Sequence, residues 1–280
     1  MSTDNDPKEL RFGFGKNWKN FIEKGFSQGK VDVSKRHLLG FLGVEDLQGQ
    51  SFLDIGCGSG LHSLAAYQAG AERVSSFDYD IDSVRTTEYL RTEKAGAPDN
   101  WTVQQGSVLD ADYVRSLGQF DIVYSWGVLH HTGDQWTAIR NASYPVGEGG
   151  LFYIALYSAD VQINPTAEEW LEIKQRYVRS SKLGRARLVW WYIWNFSMGR
   201  NPLKLSDVIK TAYEYRFKRG MSYLTDIRDW VGGWPMEFSH DADVLKFADE
   251  ELGFDLVRIA QGEANTEYLL RRRAAGARSG

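Results

Sequence analysis

Apolar positions along the chain follow two alternating rhythms. Short apolar runs stand at 51–55, 74–78, 102–105, 120–125 and 150–156, and stretches with apolar residues at helical spacing fill the gaps at 61–69, 82–94, 110–117 and 135–143. Short buried strands alternating with helices predict an α/β fold: a mostly parallel sheet covered by helices on both faces. Ligands of such sheets sit outside the carboxyl ends of the strands, at the point where strand order reverses. The residues that end each strand are therefore the first place to look for chemistry.

The alternation breaks after residue 156. About 80 residues pass before a further helix–strand–strand unit at 241–272 (DADVLKFADEEL, FDLVRIA, EYLLRR). A connection of that length inside a compact domain is structured or functional. It leaves from the carboxyl end of a strand, and a helical cap inserted after the fifth strand is expected there. The predicted division is an N-terminal helical lid at 1–50, a sheet domain at 51–157 and 236–273, an inserted cap at 158–235, and a disordered tail at 274–280. Within the lid, RFGFGKNWKNFIEKGF (11–26) reads either as a helix packed on the domain or as a flap hinged at Gly13 and Gly15. Helical spacing continues through Ser34–Leu42.

The first strand runs into SFLDIGCGSG (51–60), with Asp54 inside the strand and glycines at 56, 58 and 60. Glycines let the backbone approach a ligand, and the following helix offers unpaired N–H groups. Alone, the pattern fits any nucleotide-type site or a tight turn. The second strand ends in Asp78, 24 residues after Asp54. An acid about 20 residues past a glycine loop commonly accepts hydrogen bonds from both ribose hydroxyls; the plain alternative is a helix cap, for which Asp80 or Asp82 is better placed. Tyr79 is positioned to lie against a purine ring. The third strand is followed by QGSVLD, where Ser107 and the Val108 backbone suit the amino edge of an adenine, and the fourth by Ser125, Trp126, Gly127 and then LHH. A dinucleotide-binding dehydrogenase is the obvious rival. Its usual G-x-G-x-x-G is one residue longer than this loop, which disfavours it.

Taken together, FLDIGCGSG, SFDYD, QGSVLD and FDIVYSWGVLHH resemble the class I S-adenosylmethionine-dependent methyltransferases, closest to the branch holding quinone-biosynthesis, glycan and natural-product methylases. The similarity covers roughly 11–157 and resumes over about 220–272. It implies a Rossmann-like seven-stranded sheet and a methyl-transfer activity that uses S-adenosylmethionine and releases S-adenosylhomocysteine. It also implies that Asp54, Gly56, Cys57, Gly58 and Gly60 surround the methionine part of the cofactor, that Asp78 binds the ribose, and that Ser107 and Val108 meet the adenine. Many relatives carry Asp where Ser107 stands, which shifts the adenine contact towards backbone groups. FGFGKNWKNF resembles the N-terminal lid of some relatives, which favours the flap and brings Phe14 and Trp18 to the cofactor.

Composition bears mainly on partners and compartment. A net charge of -4 gives no whole-chain reason to expect nucleic acid as a partner. The one cysteine, Cys57, excludes a disulfide framework and a multi-cysteine zinc site and fits a reducing compartment; it reads as a small residue in a tight turn. The polar start MSTDNDPKEL is not a signal peptide and no apolar run reaches the ~18 residues of a membrane span, so a cytoplasmic location is expected.

The insertion departs from the rest. From Lys174 to Arg219 it holds twelve Lys or Arg against two acids, and six of the ten tryptophans fall between 160 and 240. RARLVWWYIWNF has three readings: an aromatic core with a solvated basic face, a peripheral membrane contact through 185–200, or a pocket for an acidic, glycan-like or lipid-linked small-molecule acceptor. The loop DIRDWVGGWPMEFSHD offers Asp229, Trp230, Trp234, Glu237 and His240 as acceptor-side candidates. As a structural turn it would instead supply Ser239 or Asp241 as a helix cap.

Transfer to a hydroxyl near neutral pH calls for a base, and histidine suits that. Among the five histidines, His130 is the first candidate, His131 the second and His240 the third; His62 lines or caps the cofactor loop and His37 has no evident role. Two acids and an amide at Mg²⁺-site spacing are not apparent, and no metal is expected. The alternatives to an O-methyltransferase are a membrane-associated quinone- or lipid-type methylase, O- or C-directed, and a non-catalytic cofactor-binding regulator.

Overall fold

The strands are β1 (Ser51–Ile55), β2 (Arg73–Asp78), β3 (Trp101–Gln105), β4 (Phe120–Trp126), β5 (Val146–Tyr157), β6 (Phe254–Gln261) and β7 (Asn265–Arg272). In the computed structural model, which describes residues 26–162, 164–219 and 223–274, they form one sheet of order β3-β2-β1-β4-β5-β7-β6. The first five run parallel, and β7 is antiparallel to both β5 and β6. Strand order reverses between β1 and β4, which puts the ligand crevice at their carboxyl ends. β5 begins four residues earlier than the apolar pattern indicates. Its start, VGEGG, has no alternation to read, and its glycines leave space for backbone: a Cβ on Gly150 would stand 2.9 Å from the Gly147 carbonyl.

Alternate residues along the strands feed two cores. Phe52, Val74, Trp101, Tyr124 and Tyr153 bury on one face of the sheet; Leu53, Phe77, Val123, Phe152 and Ile154 bury on the other. The helices α1 (Gln28–Leu42), α2 (Leu61–Gln68), α3 (Ile81–Glu93), α4 (Ala111–Ser116) and α5 (Gln135–Ser143) cover these faces. Three begin on an acid whose carboxylate accepts a first-turn N–H: Asp80 for α3, Asp110 for α4 and Asp134 for α5. Asp80 thus takes the capping role and Asp78 does not. Residues 28–42, counted with the lid from sequence, belong to the core: Val31, Leu38, Phe41 and Leu42 pack with Leu64, Phe52 and Tyr153. Phe14, Trp18 and most of the tail lie outside the described residues.

The insertion folds as α6 (Ala167–Arg179), α7 (Lys182–Tyr192), α8 (Leu205–Arg219) and α9 (Tyr223–Gly232). It has an apolar cluster of its own, with Tyr177, Val189, Ile193, Met198, Ile227 and Val231 at the centre and Tyr192, Trp194 and Trp230 packed around it. Lys182, Arg185 and Arg187 are exposed. Arg185 also donates to the Tyr177 and Val178 carbonyls at the end of α6.

The chain then returns to the sheet through α10 (Asp241–Lys246). Neither Ser239 nor Asp241 caps it. His240 holds the cap position without a side-chain bond, and Asp160 Oδ2 accepts the Asp241 N–H at 2.8 Å. Asp241 is drawn inward instead, where its carboxylate accepts hydrogen bonds from Ser158, Tyr268, Gln261 and Thr266.

Candidate functional site

The glycine loop is fastened to the end of β2. The N–H groups of Gly56 and Cys57 both donate to the Phe77 carbonyl, and the Gly58 N–H donates to Asp78 Oδ2 at 2.9 Å. Gly56, Gly58 and Gly60 have φ of 75°, 52° and 77°, left-handed conformations that favour glycine. Two of them also lack room for a side chain. A Cβ on Gly56 would fall 2.4 Å from Val128, and one on Gly60 would fall 2.8 Å from Thr87. The turn is therefore specified by close approach as well as by φ.

Two acids stand at this turn. Asp54 is fully buried, and burial pushes its pKa up to about 7, with the nearby Asp78 adding to the rise against the Ser63 hydrogen bond. Ser63 Oγ donates to it at 2.5 Å; Ser76 Oγ donates to Ser63 at 2.8 Å; Trp101 Nε1 donates to Ser76 at 2.9 Å. This chain of donors crosses the core from β3 to β1 and fixes the carboxylate. Asp78 is partly exposed. Burial raises its pKa to about 6, against the hydrogen bonds from Asp80 and Gly58. Its carboxylate accepts backbone N–H groups, Asp80 N on Oδ1 and Gly58 N on Oδ2, with a further backbone hydrogen bond from Tyr79. These left-handed glycines and a partly exposed carboxylate at the strand end fit a ligand bearing hydroxyls.

Cys57 is buried in the loop, and burial, then Asp78 and Asp54, push its thiol well above the usual range. A nucleophilic role does not suit it. Further along the strand ends, Tyr79 is exposed and Val108 is buried, with its carbonyl accepting from Asn141 at 2.9 Å. Ser107 Oγ accepts the Leu109 N–H. Ser125 is buried and donates to the Ile55 carbonyl at 3.0 Å, joining β4 to the start of the glycine loop. Trp126 is exposed at the end of β4 and hydrogen-bonds Glu267.

The LHH turn and the loop at 226–241 are distant in sequence and meet in space. His131 Nδ1 lies 2.8 Å from the Pro235 carbonyl, the Glu237 N–H donates to the His130 carbonyl, and Glu237 Oε1 accepts the Gln135 N–H. A carbonyl only accepts, so His131 carries its proton on Nδ1 and its lone pair on Nε2. His130 has the opposite tautomer: its Nδ1 accepts the Tyr157 N–H at 3.3 Å, which leaves the proton on Nε2. His130 is fully buried and its Nε2 has no hydrogen-bond partner. Burial, then the neighbouring His131 and Lys174, holds it well below the usual histidine range. Burial lowers His131 to about 4, opposed by the Pro235 hydrogen bond. Both rings are neutral at pH 7.

Of the other candidates, Trp230 joins this group through Tyr157, at 5.2 Å between ring centroids. Asp229 and Trp234 flank it on the same segment, both partly exposed. His240 does not join. It is exposed and pairs with Asp160 at 2.7 Å. His37 pairs with Glu267 at 3.3 Å, and His62 packs on the Tyr124 ring at 5.0 Å.

Sequence reading passed over Tyr157 and Lys174. Tyr157 ends β5 and its ring lies 4.2 Å from His130 and 5.8 Å from His131. Lys174 is fully buried, and burial alone lowers its pKa to about 7. A signal was present: Ala167, Trp170, Lys174 and Tyr177 recur at i, i+3, i+7 and i+10 and form the buried stripe of α6. A lysine on an apolar stripe is the anomaly to look for. Among the described residues no group of three His, Cys, Asp or Glu could hold a metal ion, and no helix is long and apolar enough to cross a membrane.

Residues 28–199 match the family model described as Methyltransferase domain, which is more than half of the chain. The ubiquinone biosynthesis O-methyltransferase of Methylobacterium sp. (strain 4-46) is 34% identical over 115 residues, 41% of this chain and 43% of that protein. The tRNA U34 carboxymethyltransferase of Methylococcus capsulatus is 29% identical over 125 residues, 44% of this chain and 37% of that protein. The chain thus spans less than half the length of these curated relatives. Among solved structures, the magnesium protoporphyrin IX methyltransferase of Synechocystis PCC 6803 with bound S-adenosylhomocysteine aligns with 95% of this chain and 100% of its own, at 15% identity and a TM-score of 0.55, a likeness of fold. On the family match, and with a sheet, a glycine loop and a β2 acid that fit it, the chain belongs to the methyltransferase-domain family, as a class I S-adenosylmethionine-dependent methyltransferase.

Proposed function

We propose that the chain methylates an acidic hydroxyl, of the phenol type, on a small-molecule acceptor, with His131 as general base and His130 as a hydrogen-bond donor beside it. The observation that carries this is the 2.8 Å contact from His131 Nδ1 to the Pro235 carbonyl, which leaves the Nε2 lone pair as the basic site. The order of the two histidines is thereby reversed from that expected on sequence, because the Tyr157 N–H occupies the His130 lone pair. An imidazole held near 4 is always unprotonated at pH 7 but weakly basic. That suits a phenolic proton better than an aliphatic one.

S-adenosylmethionine, when bound, supplies a methyl group on a cationic sulfur. Asp54 and the turn of Gly56, Cys57, Gly58 and Gly60 would hold its methionine part, Asp78 its ribose, and Tyr79, Ser107 and Val108 its adenine. Ser125 and Trp126 would close the strand-end side, with Phe14 and Trp18 supplying a lid. Trp230, Trp234 and Asp229 would line the acceptor side beneath the cap; His240, engaged by Asp160, is the weakest of the set.

A panel of phenols with S-adenosylmethionine, followed by release of S-adenosylhomocysteine, tests the assignment. His131→Gln is expected to lower kcat by about 10²–10⁴-fold with unchanged affinity for S-adenosylhomocysteine. Undiminished turnover in that variant would remove His131 as the base.

A second reading, a lipid-linked acceptor taken from a membrane surface, is favoured by α8. Leu205, Ile209 and Tyr213 fall at i, i+4 and i+8 and are all exposed, with Leu203 just before them and Lys204 and Lys210 alongside. Flotation with anionic vesicles at low salt is the check: recovery of the protein with the lipid supports this reading, and its absence from the lipid fraction ends it.

A further inference from the structure

Lys174 is the most anomalous side chain in the molecule. It rises from the buried stripe of α6, is fully buried, and makes no ion pair among the described residues. Its Nζ donates to the Trp230 carbonyl and stands 4.5 Å from the Trp230 ring centroid and 6.0 Å from that of Trp170. A carbonyl and two ring faces do not replace a carboxylate. The effective cost of burying an unpaired ammonium is several kcal/mol, and Met or Leu would complete this stripe without it. Something other than packing retains the lysine.

The second anomaly lies close by. His130 Nε2–H is buried with no acceptor. Trp230 and Tyr157, 5.2 Å apart, link the two groups, since Tyr157 lies 4.2 Å from His130 and Trp230 lies under Lys174. Both groups are donors. Tyr157 and Trp230, the residues that link the two donors, are themselves partly exposed. A flexible four-carbon stem lets Nζ exchange the Trp230 carbonyl for a better acceptor without refolding α6.

We infer that Lys174, together with His130 Nε2–H, anchors an oxyanion carried by the methyl acceptor, with the aromatic body of the acceptor lying against Trp230 and Tyr157. The ligand class is an aromatic acid. The oxyanion is the anchor, and the hydroxyl presented to His131 is a separate group on the same molecule. The inference rests on the phenol-methylation reading above for that second group alone; the anchor is testable without turnover.

The test uses the full chain saturated with S-adenosylhomocysteine and three probes of one size: benzoate, phenyl phosphate and benzyl alcohol. Calorimetry is expected to register benzoate and to give at least tenfold weaker binding of benzyl alcohol; phenyl phosphate distinguishes a general oxyanion site from a carboxylate site. Lys174→Met is expected to weaken benzoate at least tenfold, to leave S-adenosylhomocysteine affinity unchanged, and to raise Tm, since it removes a buried unpaired charge. Lys174→Arg is expected to keep part of the benzoate affinity. Equal binding of benzoate and benzyl alcohol to the wild type, or undiminished benzoate binding by Lys174→Met, would overturn the anchor. A lower Tm with unchanged probe binding would assign Lys174 to packing and overturn it equally. Loss of methyl transfer with intact benzoate binding would count against the phenol reading and leave the anchor standing.

Discussion

At the carboxyl ends of β1 and β2 stand two acids whose pKa burial raises, Asp54 and Asp78; near the end of β5 stand three bases whose pKa burial lowers, His130, His131 and Lys174. Burial pushes both sets towards neutrality, the acids to about 7 and about 6, His131 to about 4 and Lys174 to about 7. A ligand of opposite charge relieves each. A sulfonium donor suits the acidic end and an oxyanion suits the basic end. The two ends also differ in what holds them. The acids are fixed by a serine–tryptophan chain and by backbone N–H groups of the glycine turn. The bases are held by backbone groups and rings from distant segments, and the His130 Nε2–H has no partner. A fully satisfied network is rigid, while a partly satisfied one is poised to change partners.

This contrast can be broken most sharply at Gly56. Alanine there needs φ near 75°, which costs about 1–2 kcal/mol, and sets a Cβ within 2.4 Å of Val128, two residues before His130. The expected result is a loss of S-adenosylhomocysteine affinity of about 100-fold or more, read by calorimetry. Adding Val128→Ala should restore part of it, because that change removes the clash and leaves the φ strain. Wild-type affinity in Gly56→Ala would mean that the turn does not touch the ligand.

A smaller effect is expected at Asp78. Asp78→Asn keeps the size of the side chain and removes the charge that the proposed hydrogen bonds to the ribose would use. Hydrogen bonds to charged groups contribute about 1.5–3 kcal/mol, so a loss of about 10–100-fold in S-adenosylhomocysteine affinity is expected while benzoate binding is untouched.

The mildest perturbation is pH. In the proposed site the ionised Asp78 carboxylate is the form that would accept both hydroxyls, and its pKa stands at about 6. On Asp78 alone, affinity should therefore be nearly full above about pH 7 and fall roughly tenfold by pH 5. Asp54, raised in the same sense, adds to that fall. An affinity flat from pH 8 to 5 in the wild type would show that neither acid is used as an anion.

Much of the acidic end could be read from the chain because its parts are neighbours in sequence or recur with the β-α rhythm. Asp54 and the three glycines lie within seven residues, and each strand end announces itself by a change of period. The basic end could not be read in this way. His130 and His131 were visible as residues. Which ring holds a lone pair depends on Pro235 and Tyr157, 104 and 27 residues away from their respective partners. His240 was the third candidate base, and the fold turned it outward onto Asp160. The Asp241 side chain, read as a cap, was claimed by Tyr268, Thr266 and Gln261 from β6 and β7.

What the sequence determined by itself is what local physics controls: strand and helix periods, the glycine turn, and the acids capping α3, α4 and α5. Tertiary structure alone decided the tautomers of the two histidines, the burial of Lys174 without a counter-ion among the described residues, and the meeting of α6, α9, the end of β5 and the LHH turn. The reason is physical. A turn's conformation depends on the few residues that make it, whereas the charge state and hydrogen-bond partner of a buried side chain depend on whatever the rest of the chain packs against it.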